Sequence, residues 1–556
     1  MTATVTQALA TFADALRAAI DRRFPDARGV TIAFEPPRRP EFGDFSTNAA
    51  FAIAREAKAP PQVVASALIA DVQAAQNGLR ALFDRMEATG GFINLRMAAE
   101  CWHGVIREIL QSGTAYGNAP RNARSISLEF GSANPTGPLV VVQGRTCSIG
   151  ATLAEVMRAR GYDVFVEWIV NDAGAQIETL GRSLYARYVQ CFDEGATFPD
   201  EGYPGEYLID IARAIAEREG NRWTTAPEEQ WLPYFSEVGR DALVRQQQAT
   251  VERFGVHFDL WQSERELHES GRVAAGIRRL QERGTTYDRD GALYFRATDY
   301  GDDKDRVLIR RDGRPTYFCA DVAYHYDKLQ RSDKVIDILG PDHHGYIGRL
   351  KGLAEALGYD RDHLEALIAQ QITLMRGDQQ VSISKRAGQI VTLDDIIDEV
   401  GVDAARFFFV MLAPESPLTF DLQLAKERSN DNPVYYVQYG YTRIASVLKI
   451  AAPDDIHEAR TAESVDQLRH PSEIALMRRL YELPGLLQNV IDQLAPHRLT
   501  KFARDVAAEF HQFYTECRIL TDEDELRSAR LSLCLATQSV LARVLALLGV
   551  SAPETM

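Results

Sequence analysis

The sequence has 556 residues and a formal net charge of -16, with 46% hydrophobic and 25% charged residues. This length and composition predict a soluble chain of about three to four domains with large cores, and the acidic balance argues against a non-specific nucleic-acid coat protein. The six cysteines form no Cys-x-x-Cys pair, so neither a disulfide framework nor a zinc cluster is expected.

The first segment, residues 1–115, has a mixed α/β pattern. It begins with an amphipathic helix in "MTATVTQALATFADALRAAIDRRF". This helix lacks the basic start and long apolar run of a secretion signal, and no apolar run approaches the roughly 20 residues of a membrane helix. We therefore expect a cytoplasmic protein without a membrane partner. A strand in "RGVTIAF", a Pro/Arg loop, a Gly-Asp turn, a helix and a strand in "GGFINLRMA" are predicted next.

Residues 120–180 combine a strand, a turn, a helix and a second strand. "SISLEF" and "DVFVEWIV" are the predicted strands, and Gly161 ends the predicted helix "CSIGATLAEVMRARG" between them. This spacing is typical of a βαβ unit in a parallel sheet. Residues from about 180 to 285 are charged and helical, as in an insertion. Strands return over 290–400 in "GALYFRA", "DRVLIRRDGRPTYF", "KVIDILG" and "QQITL", and almost everything after about 400 has helical periodicity.

The turn "ANPTGPLVVVQGR" (133–145) follows the first of these strands. Many folds hold a nucleotide between a strand, a Gly/Pro turn and a helix. Here Val, Val, Val and Gln stand where phosphate-binding side chains are expected. Glu129 and Asn134 flank the turn, and a carboxylate at a strand end suits a cationic substrate, although a surface ion pair is the alternative.

Two further loops carry polar residues. "GPDHHGYIGR" (340–349) follows the apolar run "VIDIL", where side chains beyond a parallel strand face the binding crevice. His343 and His344 are adjacent and point in opposite directions along an extended segment, so they form a poor chelating pair; a structural loop is the alternative. "SISKRAG" (382–388) presents Lys385, and mobile cations can reach phosphates as charge develops, although a solvated basic loop is equally typical.

Two predicted helices present chemically useful side chains at helical spacing. Asp321, Tyr324, His325 and Lys328 share one face, which is either the wall of a site or a plain amphipathic surface. "NPVYYVQYGYTRIASVLK" (432–449) holds four tyrosines and two cations, which could stack on bases, although aromatic stripes are more often core. The sequence contains no Gly-x-Ser-x-Gly, Walker lysine loop or Gly-x-Gly-x-x-Gly, which argues against serine hydrolases, P-loop ATPases and dinucleotide enzymes.

Taken together, these segments resemble the arginyl-tRNA synthetases, a class I aminoacyl-tRNA synthetase family. The ordered matches cover nearly the whole chain: "GDFSTNAAFAIA", "EFGSANPTGPL", "VNDAGAQI", "DYGDDKDRVLIRRDGRPTYFCADVAYH", "GPDHHGYIGRLK", "SKRAG", "FDLQLAKERSNDNPVYYVQY" and "LLGVSAPETM". The resemblance implies an α/β fold with three domains. These are an N-terminal α+β domain for the tRNA elbow (1–115), a Rossmann-type parallel-sheet catalytic domain (116–400, helical insertion about 180–285) and an all-α helical bundle for the anticodon (401–556).

The resemblance also implies the substrates and the residues that contact them. The substrates would be L-arginine, ATP with Mg²⁺, and tRNA(Arg), used by a monomer without metal ligands of its own. Arginine would be held by Glu129, Ser132, Asn134, Tyr317 and Asp321; ATP by Pro138, Gly144, Asp342, His343 and Lys385; tRNA by Asn48, Tyr436, Tyr439 and Met556; and catalysis would involve Lys385, Ser384 and Gln143. A guanidinium group requires carboxylates, which Glu129 and Asp321 supply.

Two segments depart from the family pattern. "VVVQ" (140–143) replaces His-x-Gly-His, and "SISK" (382–385) replaces Lys-Met-Ser-Lys. Loss of one transition-state donor costs roughly 10²–10³ in rate, and Val142 adds a branched side chain where glycine lets an adenine ring approach the backbone. Three functions stay open: an arginine–tRNA ligase with normal or reduced activity, a paralog that only binds arginine or tRNA, and a ligase for another amine or amino acid, against which Glu129 and Asp321 argue.

Overall fold

The computed structural model describes residues 4–27, 29–37, 39–75, 77–343, 345–381 and 391–556. The N-terminal region contains α1 (Val5–Arg23), β1 (Phe45–Thr47), α2 (Ala49–Ala57), α3 (Pro61–Ala75), β2 (Phe83–Thr89), β3 (Phe92–Met97) and α4 (Ala99–Ser112). The three strands form an antiparallel sheet in the order β1-β3-β2. The predicted first helix is confirmed: Thr4 and Gln7 cap α1 reciprocally, and the helix buries Phe12 and Leu16.

Two sequence predictions in this region are wrong. Instead of a strand in "RGVTIAF", only Glu35 forms an isolated bridge, with Ser46, and the strand proper is β1. The unpredicted strand β2 alternates buried and exposed residues only weakly, so its sequence lacks a clear period of two. The second predicted strand is confirmed as β3.

The central region is built on a five-stranded sheet. Its first half contains β4 (Ser125–Glu129), α5 (Val141–Ala159), β5 (Asp163–Val170), α6 (Ala175–Gln190), α7 (Tyr207–Glu219), α8 (Glu228–Arg253) and β6 (Leu260–Ser263). Its second half contains α9 (Glu264–Glu269), α10 (Arg272–Glu282), β7 (Thr286–Arg289), β8 (Ala292–Phe295), β9 (Arg306–Ile309), α11 (Tyr317–Arg331), β10 (Lys334–Leu339), α12 (Tyr346–Leu357) and β11 (Leu364–Ile368).

All neighbouring strands of this sheet are parallel, in the order β11-β10-β4-β5-β6. The chain runs outward from β4 through β5 to β6, and then returns to the other side of β4 to form β10 and β11. The strand order therefore reverses between β4 and β10, and ligands of such sheets bind outside the carboxyl ends at this reversal. The predicted Rossmann-type architecture is confirmed.

The segment between β5 and β6 is largely helical, as predicted, but not entirely. Helices α6, α7 and α8 enclose a hydrophobic cluster of their own that includes Leu184, Tyr188 and Phe235. The prediction of helix alone is wrong at Leu260–Ser263, because these residues pair with β5 as the edge strand β6. Strands β7, β8 and β9 form a separate antiparallel sheet.

The chain then forms β12 (Ile372–Arg376), β13 (Gln379–Gln380), α13 (Leu393–Phe409), β14 (Leu418–Asp421) and α14 (Leu422–Lys426). Strands β13, β12 and β14 make a small sheet, and β14 is a four-residue strand within the segment after residue 400 that is predicted to be almost entirely helical. The predicted boundary at residue 401 falls on Gly401, where φ of 82° breaks the regular helix.

The remainder is a helical bundle, as predicted. It consists of α15 (Pro433–Ile450), α16 (Pro453–Thr461), α17 (Pro471–Tyr481), α18 (Leu483–Asp492), α19 (His497–Glu516) and α20 (Asp524–Leu548). By length and composition α20 could cross a membrane, but 72% of its most apolar 18 residues is buried in the protein, as in the core helix of a bundle. Gly549 ends this helix in the left-handed conformation.

Candidate active site

A cavity of about 560 Å³ lies at the carboxyl ends of β4 and β10, where the strand order reverses. The residues that line it come from the turn after β4, the start of α5, the end of β5, α9, α11 and the loop after β10. They include Glu129, Ser132, Asn134, Val142, Gln143, Glu264, Tyr317, Asp321, His325, Asp337, Asp342, His343 and Tyr346. Eight of the residues predicted from the sequence therefore meet in one place: Glu129, Ser132, Asn134, Gln143, Tyr317, Asp321, Asp342 and His343.

The floor of the cavity is a buried network of charged side chains. Lys328, fully buried, donates to Glu129 Oε2 at 2.8 Å and also to Asp337. His325 Nε2 lies 3.0 Å from the other oxygen of Asp337. Burial disfavours the Lys328 charge, but Asp337 and Glu129 outweigh it and raise the pKa of the ammonium group. Burial also raises the pKa of Glu129. The network fixes the carboxylate at the end of β4.

We expect Lys328→Met to destabilise the fold by about 3–5 kcal/mol, because it leaves two buried carboxylates without their cation. Thermal and urea unfolding measure the loss. Lys334→Met is the matched control, since Lys334 is partly exposed and its 3.8 Å pair with Glu365 is worth little. Equal stability of the two variants would contradict the expectation.

A second group of acids lines the wall opposite β4. Glu264 is the first residue of α9 and is only 7% exposed, and it forms no ion pair with any residue that the structure describes. Burial raises its pKa to about 7, and the charges of Asp321 and Asp172 add to the effect. The pKa of Asp321 is also raised by burial, while Tyr346 donates to this carboxylate at 2.6 Å. Glu264 and Asp321 thus form an acidic recess, in which neither carboxylate has a salt-bridge partner among the residues that the structure describes, although the charges of His325 and Arg349 partly offset the rise in the pKa of Asp321.

Glu264 was not predicted from the sequence. It lies in the segment interpreted as a charged helical insertion, where one glutamate among many carries no signal. The short strand "LWQS" (260–263) before it is the signal that could have identified Glu264, because a carboxylate directly after a parallel strand faces the crevice.

Polar side chains fix the turn after β4. Ser132 Oγ donates to Glu129 Oε1 at 3.0 Å and accepts from Ile169 N at 3.1 Å, which joins β4 to β5. Asn134 accepts from Asn171 Nδ2 at 2.9 Å and donates to Gln176 Oε1 at 2.8 Å. The turn thus presents an ordered set of donors and acceptors beside the acidic recess.

Helices α7 and α8 hold the same turn from outside. Tyr207 donates to Thr136 O at 2.6 Å. The buried amide of Gln247 donates to Asn134 O at 3.1 Å and to Gly137 O at 2.9 Å. The two prolines of the turn offer no N–H, so its carbonyl groups depend on donors from the inserted helices.

The segment "VVVQ" begins α5. Gln143 Oε1 accepts from Val140 N at 3.3 Å, so this side chain caps the helix. Val141 is buried, whereas Val142 and Gln143 line the cavity. Leu139 O accepts from Leu393 N at 2.8 Å, which fixes the segment to the start of α13. Among these four side chains, only the Gln143 amide can donate a hydrogen bond into the cavity.

Some predicted residues do not line the cavity. Pro138 and Gly144 are outside it, and a side chain at Gly144 would clash with Leu393 and Phe409 at 2.7 and 2.8 Å. This glycine therefore permits close packing of α5 on α13. The predicted catalytic residues Ser384 and Lys385, and also His344, lie outside the described residues. Tyr317 is 60% exposed at the cavity mouth.

The predicted tRNA contacts lie on other parts of the molecule. Asn48 is an exposed residue at the start of α2, and Met556 is exposed at the end of the chain. Tyr436 and Tyr439 are half-buried on α15, where Tyr436 packs on His511 with ring centroids 5.0 Å apart. The Arg443 guanidinium covers the Tyr439 ring at 4.7 Å. The tyrosines are thus partly core and partly accessible.

Three family models match the chain. They are the "Arginyl tRNA synthetase N terminal domain" over residues 8–97, the "tRNA synthetases class I (R), catalytic domain" over 229–409 and the "DALR anticodon binding domain" over 437–556.

Individual proteins match over nearly their whole length. The arginine–tRNA ligase of Syntrophotalea carbinolica is 43% identical over 98% of both chains. That of Moorella thermoacetica is 44% identical over 94% of both. The solved arginyl-tRNA synthetase of Thermus thermophilus, 22% identical, covers 98% of this chain and 99% of its own with a TM-score of 0.73, and so shares the fold.

Proposed function

Because the chain belongs to the arginyl-tRNA synthetase family, we propose that it is an arginine–tRNA ligase that supplies arginyl-tRNA(Arg) for translation. The carboxylate of L-arginine attacks the α-phosphorus of ATP, and pyrophosphate leaves. A hydroxyl of the 3'-terminal ribose of tRNA then attacks the carbonyl carbon of the adenylate, and AMP leaves. We further propose that the protein acts in the cytoplasm as a monomer without a membrane partner.

The observation that carries this proposal is the acidic recess, whose two carboxylates form no salt bridge with any residue that the structure describes. Asp321 and Glu264 face a space beside Tyr317, and their carboxylates can accept the in-plane N–H groups of a guanidinium. A bound guanidinium would supply the missing positive charge. Glu129, held by Lys328, and Ser132 and Asn134 stand on the opposite side, where the α-ammonium group of arginine would bind. A neutral or anionic amino acid would leave these buried acids unpaired.

The nucleotide would occupy the end of the cavity formed by the start of α5 and the loop after β10. There, the backbone N–H groups of the first turn of α5 and the Gln143 amide are donors of the segment "VVVQ", which stands where the family has His-x-Gly-His. Asp342 and His343 line the same end. Pro138, Gly144, Ser384 and Lys385 stay proposals from the resemblance, and Gly144 would act through the packing of α5.

Magnesium would enter with ATP. Within the described ranges, no group of three or more His, Cys, Asp or Glu residues has the geometry of a metal site. Mg²⁺ is commonly held by substrate phosphates and water with only one or two carboxylates. We therefore treat the ion as part of the ATP substrate and assign it no ligand in the chain.

The remaining parts of the chain would bind tRNA. We propose that residues 1–115, with Asn48, contact the elbow, that residues 116–400 form the catalytic domain, and that residues 401–556 bind the anticodon through Tyr436, Tyr439 and Met556. Tyr436 and Tyr439 are only half-buried on α15, and the adjacent Arg443 adds a positive charge that suits an RNA backbone.

A charging assay tests the function. The protein is incubated with labelled L-arginine, ATP-Mg²⁺ and total tRNA, and acid-precipitable label is measured, with labelled lysine as the control amino acid. We expect arginine to be charged and lysine not to be. No charging, although calorimetry shows that arginine and tRNA bind, would replace the ligase with a paralog that only binds its ligands.

Arginine binding should weaken as pH falls through 7. Glu264 has a pKa of about 7 in the free protein, and only its ionised form pairs with a guanidinium. Below that pH, Glu264 must lose a proton before it can pair with arginine, so Kd rises about tenfold for each further pH unit. Because this rise begins only near pH 7, Kd increases about tenfold in total between pH 8 and pH 6. Calorimetry at several pH values measures this. Glu264→Gln should bind weakly but with little pH dependence over this range; an equally steep profile would contradict the assignment.

A further inference from the structure

A smaller recess of about 210 Å³ opens beside the mouth of the main cavity. The two share Ala173, Glu264 and Tyr317, so the recess joins the end of the cavity that holds the acidic wall. The rest of its lining includes three basic residues and two neutral ones: Arg310, Arg314, Pro315 and Thr316 come from the hairpin segment between β9 and α11, and His268 comes from α9.

The two arginines are exposed at the surface. Arg310 is exposed and forms no salt bridge with the residues that the structure describes. Arg314 binds Asp312 through Nη2 at 2.6 Å and Nε at 2.8 Å, but its side chain is 76% exposed, so solvent screens this pair and the remaining N–H groups of Arg314 face the surface. Both guanidinium groups are therefore available to an anion at the surface of a chain whose net charge is -16.

The hairpin that carries them is well ordered by hydrogen bonds. Arg310 N donates to Arg314 O at 2.9 Å, and Gly313 N donates to Arg310 O at 2.9 Å. Gly313 has φ of 80°, which a side chain would disfavour. The backbone thus holds the two guanidinium groups on one side of the entrance at small conformational cost.

We propose that Arg310 and Arg314 bind backbone phosphates of the single-stranded 3' end of tRNA as its terminal ribose enters the cavity. The inference rests on the proposed function, because ester formation requires that ribose beside the carboxyl group of arginine. The acidic wall binds the arginine side chain, so the RNA backbone has to pass the mouth near Tyr317. An RNA chain there carries one negative charge per nucleotide, and the basic recess offsets the repulsion from the acids inside.

The test is the double variant Arg310→Ala/Arg314→Ala. We expect KM for tRNA to rise about tenfold and the salt dependence of tRNA binding to fall by a slope of about 1.4, the value for two phosphate contacts on a single strand. The KM values for arginine and ATP should stay unchanged. Arg311→Ala is the matched control, because Arg311 lies in the same hairpin, is 75% exposed and does not line the recess.

Direct binding separates this inference from the function itself. Fluorescence anisotropy compares labelled tRNA(Arg) with the same RNA shortened by its unpaired 3' nucleotides. Wild-type protein should prefer the full-length RNA, and the double variant should bind both equally. This binding experiment can be carried out even if the protein charges no tRNA. A failure to charge tRNA would contradict the proposed function but not this inference. An unchanged preference in the double variant, an equal effect of Arg311→Ala, or a higher KM for ATP instead of tRNA would overturn the inference.

Discussion

The triple substitution Val140→His, Val142→Gly and Gln143→His is expected to raise kcat for tRNA arginylation by about 10²–10³-fold. Adenylation needs donors that stabilise the charge on the α-phosphate and leaving pyrophosphate. In this chain Val142 and Gln143 line the nucleotide end of the cavity, and the Gln143 oxygen is already bound to Val140 N. Histidine side chains at positions 140 and 143 would add N–H donors, and their protonated form carries a positive charge that attracts phosphate.

Single variants separate the two causes. Val142→Gly removes a branched side chain, so it should mainly lower KM for ATP; Gln143→His should mainly raise kcat. Steady-state charging assays measure both. The ligase of Syntrophotalea carbinolica, assayed in parallel, gives the reference rate. A wild-type kcat equal to that reference, with no gain in the triple variant, would show that the present residues suffice.

We expect Glu264→Gln and Asp321→Asn each to raise KM for arginine by about 10²-fold and to leave KM for ATP unchanged. Each variant keeps the size of the side chain but removes one of the charges that face the recess. Loss of one partner of a buried, hydrogen-bonded charge pair costs about 2–5 kcal/mol. Because both carboxylates would contact one guanidinium, the double variant should lose less than the sum of the single losses.

The matched control is Glu269→Gln. Glu269 lies on α9 like Glu264, but it is exposed and pairs with Arg265 at 3.9 Å. It should leave KM for arginine unchanged. If Glu264→Gln behaves like this control, the arginine side chain binds elsewhere, and the role proposed for the acidic recess is wrong.

The sequence predicts the central βαβ unit well because its signals are local. The strand at Ser125–Glu129 alternates polar and apolar residues, the turn contains Gly and Pro, and the helix is followed by a glycine, so the position of Glu129 and Asn134 follows. Glu264 could not be placed in this way, since its position depends on the pairing of a four-residue strand with β5 across the inserted helices. Gly144 shows a different limit: its place in a nucleotide-binding segment suggests a ligand, whereas its close packing against Leu393 and Phe409 depends on the tertiary fold and has no signal in the local sequence.

The inserted helices α6–α8 combine two properties: a hydrophobic cluster of their own, and the side chains Tyr207 and Gln247 that hold the turn after β4. A unit with its own core can open by sub-global unfolding while the parallel sheet remains folded. Each such opening withdraws the donors from the carbonyls of Asn134, Thr136 and Gly137. We therefore expect heating to abolish catalysis when this unit opens, before the parallel sheet itself unfolds.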